Sequence, residues 1–274
     1  MPELPEVETT RAGIASHIEG AVVKRVEVRN SKLRYSVPSD LTQKLRRQTV
    51  RHVDRRGKYL LLRFDKGTLL IHLGMSGSLR LVSEGEAFGR HDHVDMVFQQ
   101  GLCLRYTDPR KFGLILWIEG DVEAHKLLVQ LGPEPLSKNF TGRYLYERAQ
   151  NKKVNIKTLL MDSKVVVGVG NIYANEALFL AGIDPRSLCA HLTKEHCQKL
   201  AAVVKQVLKK AIKAGGTTLR DFVNGEGKPG YFQQKLYVYG RDGKKCQRCG
   251  REIEQFKLGQ RSTFCCKQCQ VLLE

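Results

Sequence analysis

The chain has 274 residues, 42% hydrophobic and 27% charged, which is ordinary for a folded protein and long enough for two compact domains or one large domain with appendages. Its 46 Lys and Arg outweigh 28 Asp and Glu, and the formal net charge of +18 calls for a polyanionic partner, either nucleic acid or an anionic membrane face. No apolar run reaches the roughly 18 residues of a membrane-spanning helix. The opening Met1-Pro2-Glu3-Leu4-Pro5-Glu6 is acidic where a secretory leader is basic, so a cytoplasmic protein without a membrane role is expected.

Residues 3–18 read as a helix, since prolines are tolerated in a first turn and the early glutamates suit the positive end of the helix dipole. From about residue 22 to 118 the pattern is that of strands. Residues 58–64, a turn at 65–67 and residues 68–73 form one expected hairpin, and residues 94–98, a turn at 99–101 and residues 102–106 form a second. A further strand spans 114–118 after the loop 107–113. No helix-length segment separates these strands, which predicts an antiparallel sandwich rather than βαβ units. Residues 131–135, Leu-Gly-Pro-Glu-Pro, read as a linker, and helical periodicity follows. Thr193 precedes an amphipathic stretch with Leu200, Val203, Val204, Val207, Leu208, Ala211 and Ile212 on one face, and Gly215-Gly216 would end it. The tail from about 241 is too short to hold a core without a metal. The expected fold class is α+β, divided into an N-terminal helix with a β-sandwich (1–133), a helical domain (134–240) and a small metal-bound hairpin (241–274).

Five of the 8 cysteines, Cys246, Cys249, Cys265, Cys266 and Cys269, crowd the end of the chain, while Cys103, Cys189 and Cys197 are scattered and read as small buried hydrophobes. Cys246-x2-Cys249 and Cys266-x2-Cys269 have zinc-ribbon spacing, and four thiolates close a tetrahedral shell with no open position, so one structural Zn²⁺ is expected. Cys265 could replace Cys266 only by widening the second pair to three intervening residues. Between the pairs, Gly259-Gln-Arg-Ser-Thr263 reads as a hairpin tip, where Arg261 could grip a phosphate or simply be solvated. The stretch from Val167 to Glu176 places Gly168 and Gly170 before an expected helix start; such a turn can present N–H groups to an anion or be a plain connection.

The first residues carry a second chemical pattern. Removal of Met1 would leave Pro2 with a terminal secondary amine, and an ordinary α-amine has a pKa of about 7.7–8.0 against about 10.4 for lysine. Attack by a secondary amine on a sugar C1′ gives an iminium ion with no N–H proton to lose, an electron sink that favours elimination. Glu3 and Glu6 are three apart, on one helix face, where carboxylates could handle protons, orient the amine, or only cap the helix.

Taken together, these blocks resemble the formamidopyrimidine-DNA glycosylases, bacterial enzymes that excise 8-oxoguanine and ring-opened purines. The resemblance runs through Pro2–Glu8, Lys58–Leu62, His72–Gly77, His91–His93, Arg105–Gly113, Gly168–Glu176, Gly215–Thr218, Lys228–Phe232 and the four-cysteine ribbon. It implies a helix–two-turns–helix motif in the helical domain, damaged double-stranded DNA as partner, and a monomer. It also implies Pro2 as Schiff-base nucleophile, Glu3 as the acid for base loss with Glu6 in support, and Lys58 and Arg261 in the successive eliminations. DNA contacts are implied at His72, His91, Arg110, Lys152, Asn171 and Tyr173, with Met75, Arg110 and Phe112 filling the gap left by a flipped nucleotide and the arginine able to hydrogen-bond the orphaned partner base, which in that family is cytosine. An unbranched Met and a Phe are apolar wedges of the kind that enter a base stack, and their glycine neighbours suggest exposed loop tips. The segment 217–232, with glycines at 225, 227 and 230, would close over the everted base. Two rival readings are a sister glycosylase for oxidised pyrimidines and a non-catalytic zinc-ribbon DNA-binding protein.

Overall fold

The computed structural model describes residues 2–150, 152–216 and 236–274. Helix α1 (Leu4–Ile18) opens the chain, followed by β1 (Val23–Val28), the short α2 (Leu41–Leu45), β2 (His52–Arg56), β3 (Tyr59–Phe64), β4 (Gly67–His72), β5 (Ser78–Ser83), β6 (Asp92–Phe98), β7 (Leu102–Thr107) and β8 (Leu114–Ile118). These strands make two antiparallel four-stranded sheets, β1-β6-β7-β5 and β2-β3-β4-β8. Both expected hairpins are present as β3–β4 and β6–β7, with the second closed by Gly101 at φ +81.

One face of each sheet forms a shared core. Leu60, Leu62, Phe64, Leu69 and Ile71 from one sheet meet Val23, Val26, Val94, Met96, Phe98 and Leu104 from the other, the period-two pattern of inward strand residues. Helix α1 adds Val7, Ile14 and Ile18 to that core and packs against β2, β3 and β5. This placement brings the N-terminal turn of α1 to the sandwich.

The helical half contains α3 (Gly142–Ala149), α4 (Ile156–Met161), α5 (Asn171–Ala181) and α6 (Lys194–Lys213). Helix α6 begins where expected, with the Thr193 hydroxyl accepting from His196 N at 3.2 Å, and buries Leu200, Val204, Val207, Leu208 and Ala211. Helix α5 starts at Asn171, directly after Gly170, and ends on Gly182 in the left-handed conformation. The last hairpin pairs β9 (Glu254–Leu258) with β10 (Arg261–Cys265).

By internal contacts the described residues form two compact units, one of residues 2–129 with 214–216, the other of residues 130–150, 152–213 and 236–274. The cysteine hairpin and the helices thus share one unit. Residues 217–232, expected to cover an everted base, lie outside the described residues. No described helix is long and apolar enough to cross a membrane.

A buried ion pair anchors the first sheet. Arg105 on β7 is 2% exposed and faces its cross-strand partner Asp95 with contacts of 2.9 and 3.0 Å. Its Nη1 donates to the Ala87 carbonyl at 2.9 Å, and Nη2, shared with Asp95, donates to the Glu86 carbonyl at 2.8 Å. Burial pushes the Asp95 carboxyl up, but hydrogen bonds from Arg105 and Arg29 outweigh it and hold the group below the usual carboxylate range. That pair therefore stabilises the fold above the ordinary carboxylate pKa and loses its contribution as pH falls through the depressed value. Arg105→Ala should leave Asp95 with Arg29 as its remaining charged partner, 2.7 Å away, and cost roughly 1.5–3 kcal/mol in urea unfolding. A change of under about 0.5 kcal/mol would show that the pair does not anchor the sheet.

Candidate nucleic-acid interface and metal centre

The sandwich unit carries the first group of candidate residues. Pro2 is buried, directly before α1. Glu3, 2% exposed, is the N-cap of α1, and its N–H donates to Glu6 Oε2 at 2.9 Å. The two glutamates form a reciprocal capping box, so each fixes the other's carboxylate. The capping and chemical readings of this pair are thus compatible: the cap holds Glu3 beside Pro2 in sequence with a defined side-chain direction. One turn on, Glu8 pairs with Arg11 and with Arg55, each at 2.8 Å.

Lys58 occupies the tip of the β2–β3 hairpin. Arg56 pairs with Tyr59, leaving the two-residue turn Gly57-Lys58 with Gly57 at φ +57, the pattern of a type II′ turn. At the end of β4, His72 stacks tilted on Tyr59 with ring centroids 4.9 Å apart, and its Nδ1 accepts from Gly74 N at 3.0 Å. Burial, with Lys58 and Arg34 nearby, pushes the imidazole down to about 4. At neutral pH the ring is therefore uncharged with its proton on Nε2, a neutral donor and not a cation.

Two loops bring Met75, Arg110 and Phe112 together. Met75 is 41% exposed and Phe112 48% exposed, as expected of loop tips. The Arg110 guanidinium lies over the Phe112 ring at 5.0 Å. The loops touch backbone to backbone: a Cβ on Gly74, at φ +64, would fall 2.4 Å from Gly113 N and 2.5 Å from the Phe112 carbonyl carbon. Gly74 is thus required by both conformation and contact. His91 sits half-buried just before β6, its carbonyl accepting from Asp108 N at 3.0 Å.

The second unit carries the remaining candidates. Lys152 is exposed after α3. Asn171 is half-buried at the start of α5, its Nδ2 donating to Ser262 O at 2.9 Å, and Tyr173 is buried at 1% exposure. Arg261 follows the two-residue turn Gly259-Gln260, both at positive φ (+52 and +60), which is a type I′ hairpin with the exposed arginine at its exit.

Cys246, Cys249, Cys266 and Cys269 gather their sulfurs within 4.8 Å of one another, with Cys246–Cys269 at 3.9 Å and Cys249–Cys266 at 3.4 Å. Zinc–sulfur bonds of about 2.3 Å in a tetrahedron place sulfurs roughly 3.8 Å apart, so the donor set fits one structural zinc. Cys265 is fully buried at the end of β10 and outside this cluster, which leaves Cys266 as the ligand. Cys103, Cys189 and Cys197 are buried, as expected of small hydrophobes.

Several residues that matter to this geometry carried no sequence signal. Lys157, 1% exposed on α4, donates from Nζ to Ser262 O at 2.9 Å and to Thr263 Oγ1 at 2.6 Å. Asn175 accepts from Phe264 N at 2.9 Å, so α4 and α5 together fasten β10 and with it the strand that starts at Arg261. Glu176, 3% exposed, accepts from the N–H groups of Tyr237, Val238 and Tyr239 at 2.8–2.9 Å. Asp108, fully buried, accepts from four donors around the Met75 and Arg110 loops. All four depend on partners far along the chain.

A helix-led antiparallel sandwich, a helical unit and a four-thiol ribbon define a distinct class of architecture. Family models match in the same order: the formamidopyrimidine-DNA glycosylase N-terminal domain over residues 1–115, its H2TH domain over 131–223, and the zinc finger found in FPG and IleRS over 243–271. Formamidopyrimidine-DNA glycosylases of Pseudomonas savastanoi pv. phaseolicola and Saccharophagus degradans are 56% and 54% identical, each over 98% of this chain and 100% of its own length. A solved Lactococcus lactis Fpg in complex with abasic-site DNA superposes with a TM-score of 0.91 at 36% identity, covering 98% of this chain and 99% of that one. The Lactococcus lactis protein in complex with Fapy-dG-containing DNA gives 0.90 at 35% identity, over 98% of this chain and 99% of that one. The chain belongs to the formamidopyrimidine-DNA glycosylase family.

Two outcomes are expected. Cys246→Ser should release the zinc, read by atomic absorption; a retained stoichiometric zinc would remove the assignment. The His72 ring, followed by NMR, should titrate with a midpoint of about 4. A midpoint near the ordinary value of about 6.5 would contradict its burial.

Proposed function

We propose that the chain is a bifunctional DNA glycosylase and AP lyase of base excision repair that removes 8-oxoguanine and formamidopyrimidines from duplex DNA. The observation that carries this reading is the buried Pro2-Glu3-Glu6 arrangement at the start of α1, in a chain whose relatives act under that name. The relatives solved with abasic and Fapy-dG DNA support a damaged-DNA partner.

In this mechanism Met1 is removed and the free amine of Pro2 attacks C1′ of the everted nucleotide. The N–C1′ bond forms as the glycosidic bond breaks, the base leaving with the bonding electrons and a proton supplied by way of Glu3. Opening of the C1′–O4′ bond then leaves a ring-opened sugar bound as a prolyl iminium, the N–H proton of the attached amine being given up and a proton taken up at O4′. The iminium draws electrons when the C2′ proton is removed, and the 3′ phosphate departs; a second elimination releases the 5′ phosphate. Lys58 serves the first elimination and Arg261 the second, each also meeting a phosphate. His72, His91, Arg110, Lys152, Asn171 and Tyr173 are assigned to the DNA, and Met75, Arg110 and Phe112 to the vacated stack. His72 would meet a phosphate as a neutral N–H donor. Regions 1–133, 134–240 and 241–274 are assigned as catalytic, DNA-binding and zinc-hairpin domains of a protein that acts as a cytoplasmic monomer.

Borohydride reduction on a duplex with 8-oxoguanine opposite cytosine should trap a covalent adduct. Pro2→Gly should lower trapping by at least about a hundredfold. A demethionylated, zinc-loaded protein that leaves this duplex intact ends the proposal, and preference for thymine glycol in the same assay would move it to the oxidised-pyrimidine enzymes. DNA affinity should fall by about 0.9 log units per log unit of salt for each phosphate neutralised.

A further inference from the structure

Asp108 is fully buried between the two loops that present the candidate gap-filling side chains. Its Oδ1 accepts from Ser76 Oγ at 3.0 Å and from Arg110 N at 3.3 Å. Its Oδ2 accepts from Tyr106 Oη at 3.2 Å and from Gly113 N at 2.9 Å. Ser76 follows Met75 directly, and Arg110 and Gly113 bracket the second loop, so a single carboxylate bonds both. The main chain of Asp108 adds two ties, its N–H to His91 O at 3.0 Å and its carbonyl to the His93 Nε2 at 2.8 Å. No described cation pairs with this carboxylate. All four partners are neutral donors, three of them on the two loops and the fourth, Tyr106, on β7, so the charge and the loop conformation depend on each other.

We propose that Asp108 is a positioning residue that joins the Met75 loop to the Arg110–Phe112 loop, so that the three side chains enter a duplex as one unit. The inference rests on the reading of those three residues as gap fillers. Each carboxylate oxygen faces one hydroxyl and one backbone N–H, and a hydroxyl can turn to accept while an N–H cannot, so an amide in its place loses the bond to Arg110 N or to Gly113 N, according to which way its NH₂ faces. Asp108→Asn therefore loosens the second loop at the joint with almost no change of volume. Ser76→Ala removes only the bond that crosses from the first loop.

The test is the ratio of 8-oxoguanine excision opposite cytosine to excision opposite adenine, with strand nicking at a preformed abasic site in a single-stranded oligonucleotide as the second readout. That oligonucleotide has no orphaned base to read and no stack to fill. Asp108→Asn should lower the ratio by about tenfold while abasic nicking falls by no more than about twofold. Ser76→Ala should move the ratio the same way by a smaller factor and keeps the proposal testable if Asp108→Asn does not fold. A merely structural Asp108 would lower both activities in step, and that outcome overturns the proposal, as does an unchanged ratio in both variants. Arg110→Ala is run alongside. If it leaves the ratio unchanged, the gap-filling reading itself fails and takes the joint with it; if it collapses the ratio while the other two variants do not, only the joint fails.

Discussion

A carboxylate taken out of water needs donors aimed at it, and a loop or helix end has N–H groups with nothing to accept them. Three segments of this chain are fixed by joining those two needs. Glu6 takes the N–H of Glu3 at the first turn of α1. Asp108 takes two backbone N–H groups and two hydroxyls around the loops that carry Met75, Arg110 and Phe112. Glu176 takes three successive N–H groups of residues 237–239, the approach to the zinc hairpin. The Glu176 carboxyl is pushed up by its burial, and those three N–H groups oppose the shift.

The same logic sorts the cations. Arg105 and Arg110 are five residues apart on one strand-loop segment, with opposite fates. Arg105 is enclosed and answered by Asp95 and two carbonyls, so it serves the sheet. Arg110 is exposed, leans on an aromatic face, and among the described residues has no carboxylate partner. Lys157 and Arg261 repeat the contrast in the helical unit, one buried against β10 and the other open at its tip. A formal charge of +18 is thus not a uniform coat: some of its cations are spent inside the fold, and others, Arg110 and Arg261 among them, are left exposed.

Much of this could be read along the chain because its causes are local. Period-two runs and short turns marked the β3–β4 and β6–β7 hairpins, the Thr193 cap and apolar stripe marked α6, and the spacing of two thiol pairs marked the metal centre. The N-terminal glutamates were legible as a pair, though their reciprocal cap needed coordinates. The organising polar residues were not legible, because their partners are remote. Lys157 meets Ser262 across 105 positions, Asn175 meets Phe264 across 89, and Glu176 meets Val238 across 62. Asp108 lay inside a quoted motif, yet nothing in its neighbours showed that Ser76, 32 positions earlier, would be its partner.

The hairpin at the end of the chain has a parity that bears on Arg261. Alternate residues of a strand point to opposite faces, so Arg261 shares a face with Thr263, which is gripped by Lys157, while Phe264 points the other way into the apolar cluster of the ribbon. One extra residue between positions 261 and 263 would leave all four thiols and their metal untouched, yet turn the guanidinium through half a revolution. Metal content would then be a blind witness to aim, because the ribbon can be whole while Arg261 faces backwards.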